Sequence, residues 1–278
     1  MAPPLWLGLA ALVAGGQVVL VALTQDSVDL LLFSLLVWLG AWVCVEDRLP
    51  GLLPRPSRWG LGLGSALLVF GVWRTARVVH LDAATVVLPP LLGLGLALLA
   101  VPPRQLKRWL APLTVLSLMP LPWILGHLLP ERPFSLFTAR LAQAHLLLSG
   151  IDAAVVDRQV LLDGGGVSIA GPCTGIPLLA QLATIAVVFV LAFPLPSRPW
   201  RVAVILLAAG MALWINSLRI ALLAVISASL WPQKTWWFRF FHEEQGSWVF
   251  AALGVGLFAW LYLVLLDHQL RVREARRS

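Results

Sequence analysis

The chain has 278 residues, of which 60% are hydrophobic and 12% are charged. Soluble domains average roughly 45–50% apolar and roughly 25% charged residues, so this composition excludes an ordinary soluble domain. The apolar residues fall into eight blocks: 5–24, 28–45, 59–73, 83–101, 109–129, 173–193, 202–230 and 246–266. Most blocks reach the roughly 20 residues that cross a bilayer as a helix. The sequence therefore predicts an all-α polytopic membrane protein with about eight transmembrane helices.

The first five blocks predict an N-terminal five-helix part at residues 1–129. The residues before the first block lack the basic region of a cleaved signal peptide, so we expect this block to be retained as a helix. In the third block, Gly60 and Gly64 have the spacing that lets membrane helices approach closely. The fourth block contains Pro89 and Pro90, which disfavour a helix interior.

Residues 130–172 form the longest connection between two blocks. Within it, residues 134–148 suit an amphipathic helix that lies in the membrane interface. Arg140 and Gln143 would then point toward the lipid headgroups. The whole connection is predicted to be extracytoplasmic, because of the charge distribution among the connections.

A β-hairpin is expected between that helix and the sixth block. Residues 153–162 and 167–170 are rich in Val and Leu, and Asp163 and three glycines separate them, which is typical of a small hairpin. A three-helix part at 173–266 and a basic tail at 267–278 complete the predicted organisation.

The distribution of Lys and Arg predicts the orientation in the membrane. Connections on one side of an eight-helix bundle hold 12 basic residues: they are 1–4, 46–58, 102–108, 194–201 and 267–278. Connections on the other side hold 7: they are 25–27, 74–82, 130–172 and 231–245. By the positive-inside rule, both termini are cytoplasmic, the chain is a multi-pass protein of the inner (plasma) membrane, and 130–172 lies outside.

Two other classes of site find no support in the sequence. The net charge of +7 comes from basic residues scattered in short loops, which disfavours a nucleic-acid partner. The five histidines lack the paired spacing of zinc ligands, so no metal or other cofactor is expected. Cys44 and Cys173 are predicted at opposite faces of a bilayer core about 30 Å thick, which excludes a disulfide between them.

Three side chains are predicted to converge at the outer face. Cys173 starts the sixth helix, where the helix dipole favours a thiolate, although a cysteine in an apolar protein is also simply a small hydrophobic residue. Arg219 lies inside the seventh helix, where an arginine costs about 2.5–3.5 kcal/mol and therefore needs a partner. Asn216 shares its face. His242 lies in an aromatic belt just before the eighth helix.

These residue types support acyl transfer. The Cys173 thiolate would attack a carbonyl, and His242 would act as general acid and base. Arg219 would stabilise the oxyanion or position the substrate, because its charge persists when it is desolvated. Asn216, Glu243 or Glu244 would orient Arg219 or His242.

The same residues resemble the motifs of the exosortase/archaeosortase family in order and spacing. The matching segments are Cys173-Thr174-Gly175-Ile176, Asn216-Ser217-Leu218-Arg219-Ile220 and His242-x-x-x-Gly246 with Phe250 beyond. Thr174 stands where serine is frequent in the family. A histidine at 242 resembles the bacterial exosortases, since archaeal relatives often carry arginine there. The resemblance covers roughly residues 130–260.

The resemblance implies a membrane-embedded cysteine protease or transpeptidase. Such an enzyme processes C-terminal sorting signals of exported proteins, which combine a short motif such as Pro-Glu-Pro, a transmembrane helix and a basic cluster. Cys173 corresponds to the nucleophile, Arg219 and His242 to the family's arginine and histidine, and Asn216 to an accompanying motif position. The expected partners are the sorting signal, membrane lipid and an acceptor nucleophile of unknown identity.

A transporter of an anionic or lipid substrate is the alternative from another class. Arg219 and Asn216 would then line the translocation path, since an arginine inside a membrane helix is common to both functions. The sequence lacks the inverted repeats and paired broken helices that favour transport. A single external cysteine whose alkylation abolishes processing would distinguish the enzyme from the transporter.

Overall fold

The computed structural model describes residues 3–24, 28–46, 57–75, 77 and 83–275. The chain divides into two compact units, Met1–Leu121 and Pro122–Ser278. All predicted site residues belong to the second unit.

The first unit is helical. Its helices are α1 (Pro3–Thr24), α2 (Val28–Glu46), α3 (Arg58–Thr75), α4 (Ala83–Ala100), a 3-10 helix (Pro103–Trp109) and α5 (Leu110–Leu116). Helices α3 and α4 pack closely, as the glycine spacing predicted: a Cβ at Gly60 would lie 2.6 Å from the Leu98 carbonyl oxygen, and one at Gly64 would lie 2.9 Å from that of Gly95. Despite Pro89 and Pro90, α4 is continuous.

A buried polar contact joins α1 to α2. The Gln17 side chain is 2% exposed, and its Oε1 accepts hydrogen bonds from Ser34 Oγ at 2.6 Å and Trp38 Nε1 at 2.9 Å. Buried polar groups need such partners because desolvation is costly. This contact fixes how the first two helices are rotated about their axes.

The prediction of one helix at 109–129 is wrong. The chain forms α5, then turns at residues 117–120, and continues as α6 (Leu121–Leu128). Pro120 and Pro122 flank the break. Because proline has no N–H and its ring clashes with the preceding turn, a continuous helix cannot pass this point without distortion.

By length and apolarity, four described helices can cross a membrane: Leu5–Thr24, Val28–Glu46, Arg198–Ala228 and Gly246–Ala275. The pair of helices around the break adds a fifth if it forms one span. Val86–Ala100 and Ile176–Ala192 are apolar but shorter. The protein is thus a helical membrane protein, and the count of eight spans stays a prediction.

The second unit combines helices with a small sheet. After α6 come α7 (Glu131–Leu148), three strands, and a 3-10 turn (Gly171–Thr174); then follow α8 (Ile176–Ala192), α9 (Arg198–Ala228), α10 (Lys234–His242) and α11 (Glu244–Ala275). The aromatic belt before the eighth block is therefore helical. Sequence patterning placed no helix there.

The predicted two-segment hairpin is a three-stranded antiparallel meander. Strands β1 (Ala154–Val156), β2 (Gln159–Leu162) and β3 (Gly165–Ser168) pair in that order. The segment 153–162 holds both β1 and β2 because Asp157, in the left-handed region at φ 51°, turns the chain inside it. Asp157 is of the residue type that tolerates this conformation best after glycine and asparagine.

One face of the sheet packs against α7 and α9. Val160 and Val167 are directly paired across β2 and β3, and both are buried in a cluster that also contains Cys173. Gln143 donates from Nε2 to the carbonyl oxygen of Ala153, the residue just before β1, at 2.8 Å, so it does not point to lipid headgroups as predicted. Arg140 is exposed.

Candidate active site

Cys173 lies in a short turn that precedes α8. Gly175 joins the turn to the helix with φ 89°, a conformation that favours glycine, and a Cβ there would lie 3.0 Å from Asn216 Nδ2. The Thr174 hydroxyl donates to the Gly171 carbonyl oxygen at 2.8 Å and accepts the Ile176 N–H at 3.3 Å. Serine would supply the same hydroxyl, so the threonine at this position preserves the turn.

Two buried side chains hold the carbonyl groups of this turn. Asn216 Nδ2 donates to the Cys173 carbonyl oxygen at 2.9 Å. Thr138 Oγ1 donates to the Thr174 carbonyl oxygen, also at 2.9 Å. The turn is thereby attached to α9 and α7, and its buried acceptors are satisfied.

Arg219 has the partners that its position in an apolar helix requires. The residue is 3% exposed, and it donates from Nε to the Phe241 carbonyl oxygen and from Nη2 to the His242 carbonyl oxygen, each at 2.9 Å. These carbonyls end α10, where intrahelical donors are missing and the dipole favours a cation. Arg219 therefore joins α9 to the end of α10.

The Cys173 thiol is 4% exposed within the apolar cluster. Burial raises its pKa, whereas the charge of Arg219 and a hydrogen bond from it lower that pKa, and the net direction is upward. The sequence-based expectation of a lowered pKa is thus wrong for this state.

His242 contacts Arg219 through its main-chain carbonyl group, not through its ring. Its side chain is exposed, and the ring stacks on Phe238 with the centroids 5.5 Å apart and the planes 15° apart. Between the described side chains of His242 and Cys173 there is no hydrogen bond. The structure thus brings Cys173, Asn216 and Arg219 together by side-chain contacts and His242 by its carbonyl group.

Two glutamates, Glu243 and Glu244, are predicted from the sequence as groups that could orient Arg219 or His242. The structure describes the side chain of Glu243 only. Glu243 is exposed and forms an ion pair with Arg239, Oε1 to Nε, at 3.8 Å. The side chain of Glu244 lies outside the described part of the chain. Exposed pairs of this kind contribute little to stability.

Gly246 allows α11 to start directly beside α10. A Cβ at this position would collide with the Phe240 carbonyl oxygen and the Phe241 Cα. Phe241 also packs edge-on against Phe250, with the ring centroids 6.1 Å apart. The spacing of His242, Gly246 and Phe250 therefore serves the packing that keeps the carbonyls of α10 facing Arg219.

Sequence patterning missed a second histidine near the site. Ser217 Oγ donates to the Trp214 carbonyl oxygen at 2.6 Å and lies 2.9 Å from His145 Nε2. Since a hydroxyl has one hydrogen, His145 Nε2 is the donor in the second contact. Burial lowers the pKa of His145. The seven-residue spacing of Thr138 and His145, two turns on one helix face, was the available signal.

Among the described residues, no group of three or more His, Cys, Asp or Glu side chains is arranged to hold a metal ion. The chemistry available at this site is that of a thiol beside a buried guanidinium, with an imidazole on the adjoining helix end. These are the groups that thiol-based acyl transfer uses.

Comparison with known proteins identifies the family. No curated protein and no solved structure matches the chain. The family model described as transmembrane exosortase matches residues 24–260, which is well over half of the 278 residues and includes the whole site. The chain therefore belongs to the transmembrane exosortase family.

Proposed function

We propose that this protein is a membrane-embedded cysteine transpeptidase or protease that cleaves C-terminal sorting signals of exported proteins. One observation carries the proposal: the buried Arg219 donates to the two carbonyls that end α10 at Phe241 and His242, and its charge lowers the pKa of the Cys173 thiol. A guanidinium placed in this way links the nucleophile to the segment that carries the base. Membership in the exosortase family supports the same reaction class.

In the proposed reaction, Cys173 Sγ attacks the scissile carbonyl carbon as His242 accepts the thiol proton. Arg219 stabilises the oxyanion of the tetrahedral intermediate. The C–N bond then breaks, His242 returns the proton to the departing amine, and a thioester remains on Cys173. An acceptor nucleophile attacks the thioester carbonyl and releases the thiol. Asn216 holds the Cys173 main chain throughout.

The proposed cycle requires His242 to leave its stack on Phe238 when the substrate binds. Catalytic hydrogen bonds are often formed only in the substrate complex. Because Arg219 holds the carbonyls of Phe241 and His242, the main chain of the base can stay in place as its exposed ring turns. The raised pKa of the Cys173 thiol fits a nucleophile that is deprotonated only during reaction.

The proposed location is the inner membrane, with eight spans, cytoplasmic termini and the site at the extracytoplasmic face. The excess of Lys and Arg in one set of connections supports it. Arg219 is nine residues, or about 14 Å, from the end of α9. The last residues of α9 contact Gly165 of β3, so protein covers this end of the helix. A site at this depth suits a substrate whose single helix emerges there.

The contacts of Arg219 also favour the enzyme over the transporter. Two of its donors are directed to carbonyls inside the protein, and its charge acts on the Cys173 thiol. In a translocation path they would be expected to face a polar passage.

The test is co-expression with a substrate that ends in the candidate motif, one helix and an arginine cluster. We expect Cys173→Ala to abolish shortening of the substrate. Cys44→Ala is the matched control, since this buried cysteine lies on α2, and it should leave processing unchanged. Normal processing in Cys173→Ala would contradict the proposed nucleophile.

A further inference from the structure

A partly open cavity of about 460 Å³ lies between the helices of the first unit. Its volume is within the roughly 300–1,000 Å³ typical of ligand pockets. Apolar residues of α1, α2, α4 and α5 form nearly all of its wall. Along α1 it extends from Trp6 to Val18, which is about 18 Å at 1.5 Å per residue. An elongated apolar cavity of this kind suits a lipid acyl chain.

Trp109, which lines one end of the cavity, has a buried donor without a partner in the described part of the chain. Trp6, Val45 and Trp109 line this end and belong to one buried cluster. Trp6 Nε1 donates to the Leu96 carbonyl oxygen at 3.0 Å. Trp109 is 5% exposed, and its Nε1–H has no hydrogen-bond partner within the part of the chain that the structure describes. Such a buried donor is costly unless a ligand supplies the acceptor.

The same end carries positive charge. Trp109 ends the 3-10 helix Pro103–Trp109, which contains three exposed basic residues, Arg104, Lys107 and Arg108, and no acidic residue. In a 3-10 helix, residues three apart share a face. Arg104 and Lys107 therefore project together on one side, whereas Leu106 and Trp109 pack on the cluster. Basic groups beside a cavity between membrane helices attract anionic lipid headgroups.

We propose that this cavity is a binding site for an anionic phospholipid. One acyl chain occupies the apolar cavity, an ester carbonyl accepts the Trp109 Nε1–H, and the phosphate lies beside Arg104 and Lys107. The site is formed within the first unit and does not depend on the chemistry at Cys173.

The first test fills the cavity. Gly15 lines it and Gly16 does not, yet a Cβ at either position meets nothing within 4 Å. Gly15→Leu and Gly16→Leu are thus matched variants of one helix with the same gain in helix propensity. Native mass spectrometry of the full-length protein, with equimolar phosphatidylglycerol and phosphatidylcholine, measures lipid retention. We expect preferential retention of phosphatidylglycerol, lost in Gly15→Leu and kept in Gly16→Leu.

The second test separates the contribution of the lipid headgroup to binding from that of the acyl chain. Trp109→Phe keeps the ring and removes the donor, which should weaken phosphatidylglycerol binding about fivefold. The double substitution Arg104→Gln, Lys107→Gln should weaken it about 25-fold and abolish the preference over phosphatidylcholine. Arg271→Gln, Arg273→Gln on α11 is the control with equal charge loss. Equal retention of both lipids by the unaltered protein would overturn the proposal, as would unchanged phosphatidylglycerol binding in Gly15→Leu and Trp109→Phe.

The same variants would also reveal a different occupant of the cavity. If the cavity held the helix of a protein substrate, Gly15→Leu would weaken binding of a peptide of that helix and leave phosphatidylglycerol retention unchanged. That result would overturn the lipid assignment. Thermal unfolding of each variant, compared with Gly16→Leu, shows whether the fold is retained.

Discussion

Replacement of Arg219 by lysine tests the central contact of the proposed site. Lysine keeps the positive charge and loses the planar set of donors. Arg219 uses Nε and Nη2 on two different carbonyls, and its charge lowers the pKa of the Cys173 thiol. One ammonium group at the end of a flexible stem cannot reproduce these two directed hydrogen bonds. We therefore expect Arg219→Lys to fold and to be a poor enzyme.

The expected loss follows from the number of contacts. A hydrogen bond to a charged group contributes about 1.5–3 kcal/mol. If lysine forfeits one such bond in the transition state, kcat/KM falls about 10- to 150-fold, since each 1.4 kcal/mol is about tenfold. Loss of a second bond would multiply this effect. The assay is the processing rate of a sorting-signal peptide by purified protein in nanodiscs.

Arg201→Lys is the matched control for this experiment. Arg201 also belongs to α9, and its Nε donates to the Leu195 carbonyl oxygen at 2.7 Å, away from the Cys173 turn. We expect this variant to process the peptide at the unaltered rate. Full turnover in Arg219→Lys, or equal losses in the two variants, would refute the reasoning.

Three further predictions concern the groups around the site. Because the thiolate is the reactive form and burial raises the pKa of Cys173, alkylation of this thiol should rise with pH to a midpoint above that of a free cysteine measured in parallel. Arg219→Met should move the midpoint higher, and a midpoint below that of free cysteine in the unaltered protein would contradict the prediction. Asn216→Ala leaves the buried Cys173 carbonyl without its donor, so peptide processing should fall about tenfold. Burial lowers the pKa of His145, so the folded state binds its proton less readily than the unfolded chain, and thermal stability should decrease as pH falls below 6.5. His145→Gln should reduce this dependence, and an unchanged dependence in that variant would contradict the prediction.

Several features of the site follow from local sequence and could be predicted. Asn216 and Arg219 are three residues apart on one helix, so their shared face is a property of helical geometry. An arginine in an apolar helix needs a partner, so the sequence alone marks Arg219 as a candidate site residue. Gly60 and Gly64 likewise predict a close helix contact from their spacing alone.

Other features depended on residues distant in sequence. The acceptors of Arg219 are carbonyls 22 and 23 residues later. Main-chain acceptors occur at every residue, so no pattern of side chains could identify these two. The meander was missed because the turn at Asp157 lies inside a Val- and Leu-rich segment, and no glycine or proline marks it.

Composition and order in the sequence determined that this protein is helical and membrane-embedded, and indicated the motifs that we propose carry its chemistry. Both follow from local properties, because the cost of placing a residue in a bilayer and the face it occupies on a helix depend on its near neighbours. The tertiary structure alone decided the direction of the Cys173 pKa shift, since desolvation by the packed cluster opposes the charge of Arg219 there. It also decided that Arg219 binds the carbonyls at the end of α10, which joins α9 to the helix that carries His242.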